Sequence, residues 1–162
     1  MNKQKDLSAE KAEETALKLL RMRRSKRDLE NRLRQKGFPA DIVAGVTEKM
    51  QRLGYINDLD YAMAFVHDSM LLSRFGPKKI RMSLYQHGIP GNVISCAMES
   101  ADEEIYLDNL RFFMAKEFGA QEEISQAAAG KFQRRMLSRG FLMRQIETVM
   151  SDITITEEDY RF

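Results

Sequence analysis

Residues 75–89 read FGPKKIRMSLYQHGI, and altered forms of the phrase recur on either side, as RSKRDLENRLRQKGF at 24–38 and AGKFQRRMLSRGF at 129–141. Their glycines, Gly37, Gly88 and Gly140, lie 88 − 37 = 51 and 140 − 88 = 52 residues apart. Each has apolar residues eight and four positions before it: Leu29 and Leu33, Ile80 and Leu84, Phe132 and Met136. Residues four apart share a helix face. Each phrase therefore reads as an amphipathic helix stopped by a glycine that enters the left-handed C-terminal turn without a Cβ clash. An apolar residue follows each time, Phe38, Ile89 and Phe141. An internal period of this size marks a repeat architecture.

Working outward, each phrase is the middle of a three-helix unit. In the first unit Ala12, Ala16, Leu17 and Leu20 form an opening helix, Ser25 caps the middle helix with Asp28 at its third position, and Pro39 opens a third helix. That third helix carries Ile42, Val43, Val46, Met50 and Leu53 and stops at Gly54. In the second, Asn57 or Asp58 caps a helix bearing Tyr61, Ala62, Phe65, Val66 and Met70. Gly76-Pro77 opens its middle helix, and Pro90 opens a helix with Val93, Ile94, Ala97 and Met98 inward. The third unit is looser, with Ile105, Leu107, Leu110, Phe113 and Met114 first, an irregular stretch from Gly119 to Ser125, and a last helix holding Leu142, Ile146, Val149 and Met150. No sustained period-two alternation announces a sheet. The expectation is an all-α chain of tandem three-helix modules, about nine helices in all, forming an elongated body open to curvature. The divisions fall at 1–55, 56–101 and 102–152, followed by a tail at 153–162 that is frayed or a contact segment.

The composition agrees with thin helical layers. Of 162 residues, 43% are apolar and 31% charged, which suits a soluble globular chain with much exposed surface. One cysteine, Cys96, excludes an intrachain disulfide and reads as a small buried hydrophobe. No apolar run approaches the roughly 20 residues that span a bilayer, and MNKQKDLSAEKAEE lacks a hydrophobic signal core, so a cytoplasmic protein is expected. Lys and Arg against Asp and Glu give 14 − 8 = +6 over residues 1–55, 4 − 4 = 0 over 56–101 and 8 − 12 = −4 over 102–162. The basic first third suits phosphates or an acidic protein surface.

Little in the chain points to catalysis. His67 and His87 read as surface or structural residues, and the second stands where an imidazole meets helix-terminal carbonyls. There is no Cys/His metal spacing, phosphate-binding glycine loop or nucleophile elbow, so no enzyme activity, metal or cofactor is expected. The basic residues recur instead on the middle helices and their flanks. Arg23, Arg24 and Arg27 mark the first, Lys78, Lys79 and Arg81 the second, and Arg134, Arg135 and Arg139 the third. These nine are the candidate partner-binding residues. Helix–glycine turn–helix also suggests DNA reading, but the helix after the turn offers few base-reading side chains, with Arg144 and Gln145 the best placed. Contact with phosphate or acidic protein is the better reading.

The repeated phrases resemble the bacterial RecX family, most specifically in GYINDLDYA at 54–62 and FGPKKIRMSLYQHGI at 75–89, with SRGF at 138–141 as weaker support; the resemblance covers roughly residues 12–151. It implies tandem three-helix modules that bind the RecA filament on single-stranded DNA. By lodging in the filament's groove, such proteins limit ATP hydrolysis and strand exchange and thereby modulate recombination and the SOS response. The expectation is a non-catalytic regulator, a monomer because the repeat supplies no symmetric interface, with direct DNA phosphate contact as a further possibility. The alternatives are a sequence-independent nucleic-acid-binding module acting without RecA, and a helical scaffold whose basic surface is merely solvated.

Overall fold

The computed structural model describes residues 7–157; residues 1–6, where the N-terminal segment begins, and 158–162, with the acidic Glu158 and Asp159, lie outside it. Its elements are α1 (Ala9–Leu19), α2 (Lys26–Gln35), α3 (Ala40–Arg52), α4 (Asp58–Leu71), α5 (Pro77–Gln86), α6 (Gly91–Glu99), α7 (Glu103–Phe118), β1 (Glu123–Ser125), α8 (Gln126–Ser138), α9 (Met143–Met150) and β2 (Thr154–Thr156). The nine helices among the described residues form three successive triplets, so the all-α repeat reading holds. None is long and apolar enough to cross a membrane.

The glycines end the middle helices as expected. Gly37, Gly88 and Gly140 have φ of 93°, 74° and 90°. The apolar residue behind each returns its amide to the helix, Phe38 to Leu33 O, Ile89 to Leu84 O and Phe141 to Met136 O. These six-residue closures satisfy carbonyls that a helix end leaves unpaired. The apolar pairs before the glycines and the residues after them are all buried. Full burial of one such side chain contributes about 1.5–3 kcal/mol.

Two compact units emerge from the packing. The first contains the described residues up to Ala64 together with Leu84–Ala97; the second contains Phe65–Ser83 and the described residues from Met98 onward. The second triplet thus contributes the start of α4 and the end of α5 to one unit, and the end of α4 and the start of α5 to the other.

In the first unit, α1, α2 and α3 pack around Ala12, Ala16, Leu29, Leu33, Phe38, Val43, Val46 and Met50. The turn after α5 meets the start of α2. Ser25 Oγ accepts the Asp28 amide at 3.1 Å and donates to His87 O at 2.8 Å. The Lys26 amide donates to Asp58 Oδ1 at 2.9 Å. A Cβ added at Gly88 would strike the Arg27 side chain, so glycine is needed for close approach as well as for its φ.

The second unit repeats this junction between the turn after α8 and the start of α5. The Gly76 and Lys78 amides donate to Arg139 O and Gly140 O, both at 2.9 Å. A Cβ at Gly140 would strike the Lys79 backbone, and one at Gly76 would strike the Gly140–Phe141 backbone. Arg139 reinforces the junction. Its Nη2 donates to Ser73 O at 2.7 Å, and its guanidinium lies 4.4 Å from the Phe113 ring centroid and 5.4 Å from that of Phe75. The core beside it holds Tyr106, Leu110, Phe132, Met136, Phe141 and Ile146.

Several expectations need correction. A parallel two-stranded sheet pairs Glu123–Ser125 with Thr154–Thr156, one strand from the irregular stretch and one from the tail. Strands of three residues are too short to show a sequence period, and buried Ile124 and Ile153 anchor the pair. Cys96 is exposed, because α6 turns Ile94 and Ala97 inward and leaves Cys96 on another face. Leu17 and Leu53 are exposed too, while α7 buries Tyr106 and Asn109 beside Leu110. Asn109 is satisfied there, donating to Met70 O at 2.9 Å and accepting from Arg74 at 2.8 Å.

Gly140→Ala should cost about 3 kcal/mol, since left-handed strain adds to the clash with Lys79. Gly54→Ala has the same kind of φ, 79°, with nothing within 4 Å of the new Cβ, and should cost about 1 kcal/mol. Urea unfolding midpoints should rank wild type, Gly54→Ala, Gly140→Ala in falling order. Arg139→Ala should destabilise by about 2 kcal/mol through lost hydrogen bonding and ring contact. Arg134→Ala, at an exposed position, should stay within about 0.5 kcal/mol by the same measurement.

Candidate partner-binding surface

The phrase GYINDLDYA shows how finely the first unit is built. Gly54 ends α3 and Ile56 is buried. Asn57 caps α4, its Oδ1 accepting the Leu59 and Asp60 amides at 3.0 and 3.2 Å. Asp58 is freed from that task and caps α2 through Lys26 instead. The choice between Asn57 and Asp58 is therefore resolved by giving each a different helix. Tyr61 is buried with its ring 5.8 Å from that of His87, whose Nδ1 lies 3.2 Å from Asp28 Oδ2. The imidazole thus meets a carboxylate, whereas the carbonyl of the same residue receives Ser25.

The nine basic candidates divide by what their side chains touch. In the first unit, Arg23 is exposed, Arg24 is half-buried with Nε donating to Leu19 O at 2.9 Å, and exposed Arg27 lays its stem over Gly88. Arg23 and Arg24 line one surface cavity of about 230 Å3 together with Met22, Tyr55 and Asp60. The sequence reading did not single out Met22 or Tyr55. Both are more than half exposed, at 68% and 57%. Helical periodicity could not find them, because they stand in the loops after α1 and α3.

In the second unit, Lys78 and Arg134 are exposed. Lys79 Nζ sits 4.1 Å over the Phe75 ring, so Lys79 and Arg139 share that aromatic side chain. Arg81 is half-buried, and its charge opposes the burial that, aided by the Glu103 charge, pushes the pKa of the Tyr106 hydroxyl up to about 12. Exposed Arg135 pairs with Glu117 and lies 5.7 Å from the Phe132 centroid. Burial lowers the pKa of Arg139, with the Arg135 charge acting in the same direction. The side chain of Arg139 is thus engaged within the fold, and Lys78 and Arg134 offer their charge most openly.

Base reading loses one of its two best-placed candidates. Gln145 is buried, with Oε1 accepting the Leu142 amide at 2.8 Å and Nε2 donating to Glu103 at 3.0 Å. Arg144 pairs with the same Glu103 at 3.3 Å.

Comparison with known proteins places this arrangement. Residues 57–98 match the second three-helix domain of RecX. A "Regulatory protein RecX" of Legionella pneumophila is 31% identical over 144 residues, covering 88% of this chain and 95% of the relative. One from Geobacillus kaustophilus is 28% identical over 93% of this chain and 57% of its own length. The crystal structure of RecX from Lactobacillus salivarius superposes with a TM-score of 0.79 at 23% identity, covering 90% of this chain and 96% of that one. The helix triplets, their glycine turns and the 31% identity over nearly the whole length of the Legionella relative converge: the chain belongs to the RecX family of regulatory proteins.

Proposed function

We propose that this protein binds the RecA filament on single-stranded DNA and restrains its recombinase, ATPase and coprotease activities, thereby modulating homologous recombination and the SOS response. Family membership supports the partner. The observation that carries the binding mode is the recurrence of exposed basic side chains on successive middle helices. Arg27 and Lys78 each precede their glycine by ten residues (37 − 27 and 88 − 78), and exposed Arg134 lies on the third such helix. Modest contacts carried by one folded chain reinforce one another when their spacing matches a repeating target. Acidic protein surface and DNA phosphate are both available ligands for such charges on a nucleoprotein filament. The three-helix modules serve as separate carriers of these charges, divided at 55–56 and 101–102.

Inhibition of RecA ATPase on single-stranded DNA is the direct readout. Combining Arg27→Gln, Lys78→Glu and Arg134→Glu should raise the half-inhibitory concentration about tenfold, equivalent to about 1.4 kcal/mol, with the circular dichroism melt retained. Full inhibition by this variant would contradict the assignment. Parallel sedimentation with filament and with naked DNA distinguishes the alternative. A module acting without RecA would bind both, with affinity falling steeply as salt rises.

A further inference from the structure

We infer that the cavity between the α1–α2 and α3–α4 loops is a docking site for a protein segment that inserts an apolar side chain and carries flanking carboxylates. Within GYINDLDYA, the neighbours of Tyr55 are occupied with turn, core, capping and ring contacts, whereas its own ring is 57% exposed. The Tyr55 amide closes the α3 turn onto Met50 O at 2.9 Å, which fixes the backbone beneath that exposed ring. Met22, 68% exposed, lines the same cavity, with Arg23 and Arg24 next to it in the chain. A tyrosine, a methionine and arginines around one concavity are the residue types that concentrate binding energy at protein interfaces. An apolar side chain packed against Met22 and Tyr55 would lose its water, while exposed Arg23, which lines the same cavity, attracts carboxylates.

The same residues disfavour a nucleic-acid strand. Stacking platforms for single strands present successive rings along a basic groove. Here Tyr55 is the one exposed ring lining the cavity, because Tyr61 is buried, so no run of successive rings is presented to a strand of bases. The inference deepens the partner-binding reading by assigning protein recognition to a surface separate from the middle-helix charges. Its test omits RecA, so the two can fail independently.

A displayed library of random dodecapeptides should be panned on the full chain, and enriched peptides measured by fluorescence anisotropy beside labelled oligothymidylate. Enriched peptides should pair an apolar residue with Asp or Glu. Their affinity should fall about tenfold in Tyr55→Ala and in Arg23→Glu, and remain unchanged in Lys78→Glu. Both altered side chains are exposed, and a retained thermal melt verifies folding. Failure to enrich acidic–apolar peptides, or peptide affinity unchanged in Tyr55→Ala, would overturn the proposal. Oligothymidylate binding that is lost in Tyr55→Ala would also overturn it and identify a nucleic-acid site.

Discussion

The fold depends on one recurring interaction, the turn after one middle helix set against the first residues of the preceding middle helix. A helix start presents unpaired amides and a helix end presents unpaired carbonyls, so joining them removes two deficits at once and brings complementary dipole ends together. His87 and Arg139 occupy equivalent positions, since 139 − 87 = 52, and so do Ser25 and Gly76, since 76 − 25 = 51. In both units the carbonyl of the former accepts a hydrogen bond from the latter, from a serine hydroxyl in the first and a glycine amide in the second. The chemistry differs while the register is kept. That register explains why the second triplet contributes to both packed units, for its middle helix ends in one junction and begins in the other.

The cost of this arrangement falls on side chains near the turns. Gly88 and Gly140 are constrained twice, by positive φ and by the backbone or side chain pressed against them. Arg139 illustrates how a basic residue can be drawn into the same task. Its guanidinium caps the Ser73 carbonyl and lies against two aromatic rings. Charge on a middle helix is therefore divided between holding the junction and facing outward, and Lys78 and Arg134 belong to the outward set.

The triplets, the glycine stops and nearly all the inward apolar pairs were legible because periodicity records burial directly. Ser25 was legible as a cap because its bond to Asp28 is local. Its second bond, to His87 O, was not, since nothing local links residues sixty-two positions apart. Asp58 was legible as a capping residue but its helix was not, for the same reason. The three-residue strands carried too few positions for a period, and Cys96 was misplaced because a small apolar side chain fits a helix surface as well as a core. The basic clusters were legible as charge alone. Which charges lie against a ring depends on Phe75, Phe113 and Phe132, whose proximity is set by tertiary packing.

Native-state hydrogen exchange at Gly76 and Lys78 tests the junction most directly. These amides open a helix and would exchange rapidly if solvent were their partner. Bonded to Arg139 O and Gly140 O, they should be protected to the level of amides in the middle of α8 and should open together with the turn that follows it. Exchange at the rate of an uncapped helix start, with α8 itself still protected, would contradict the account.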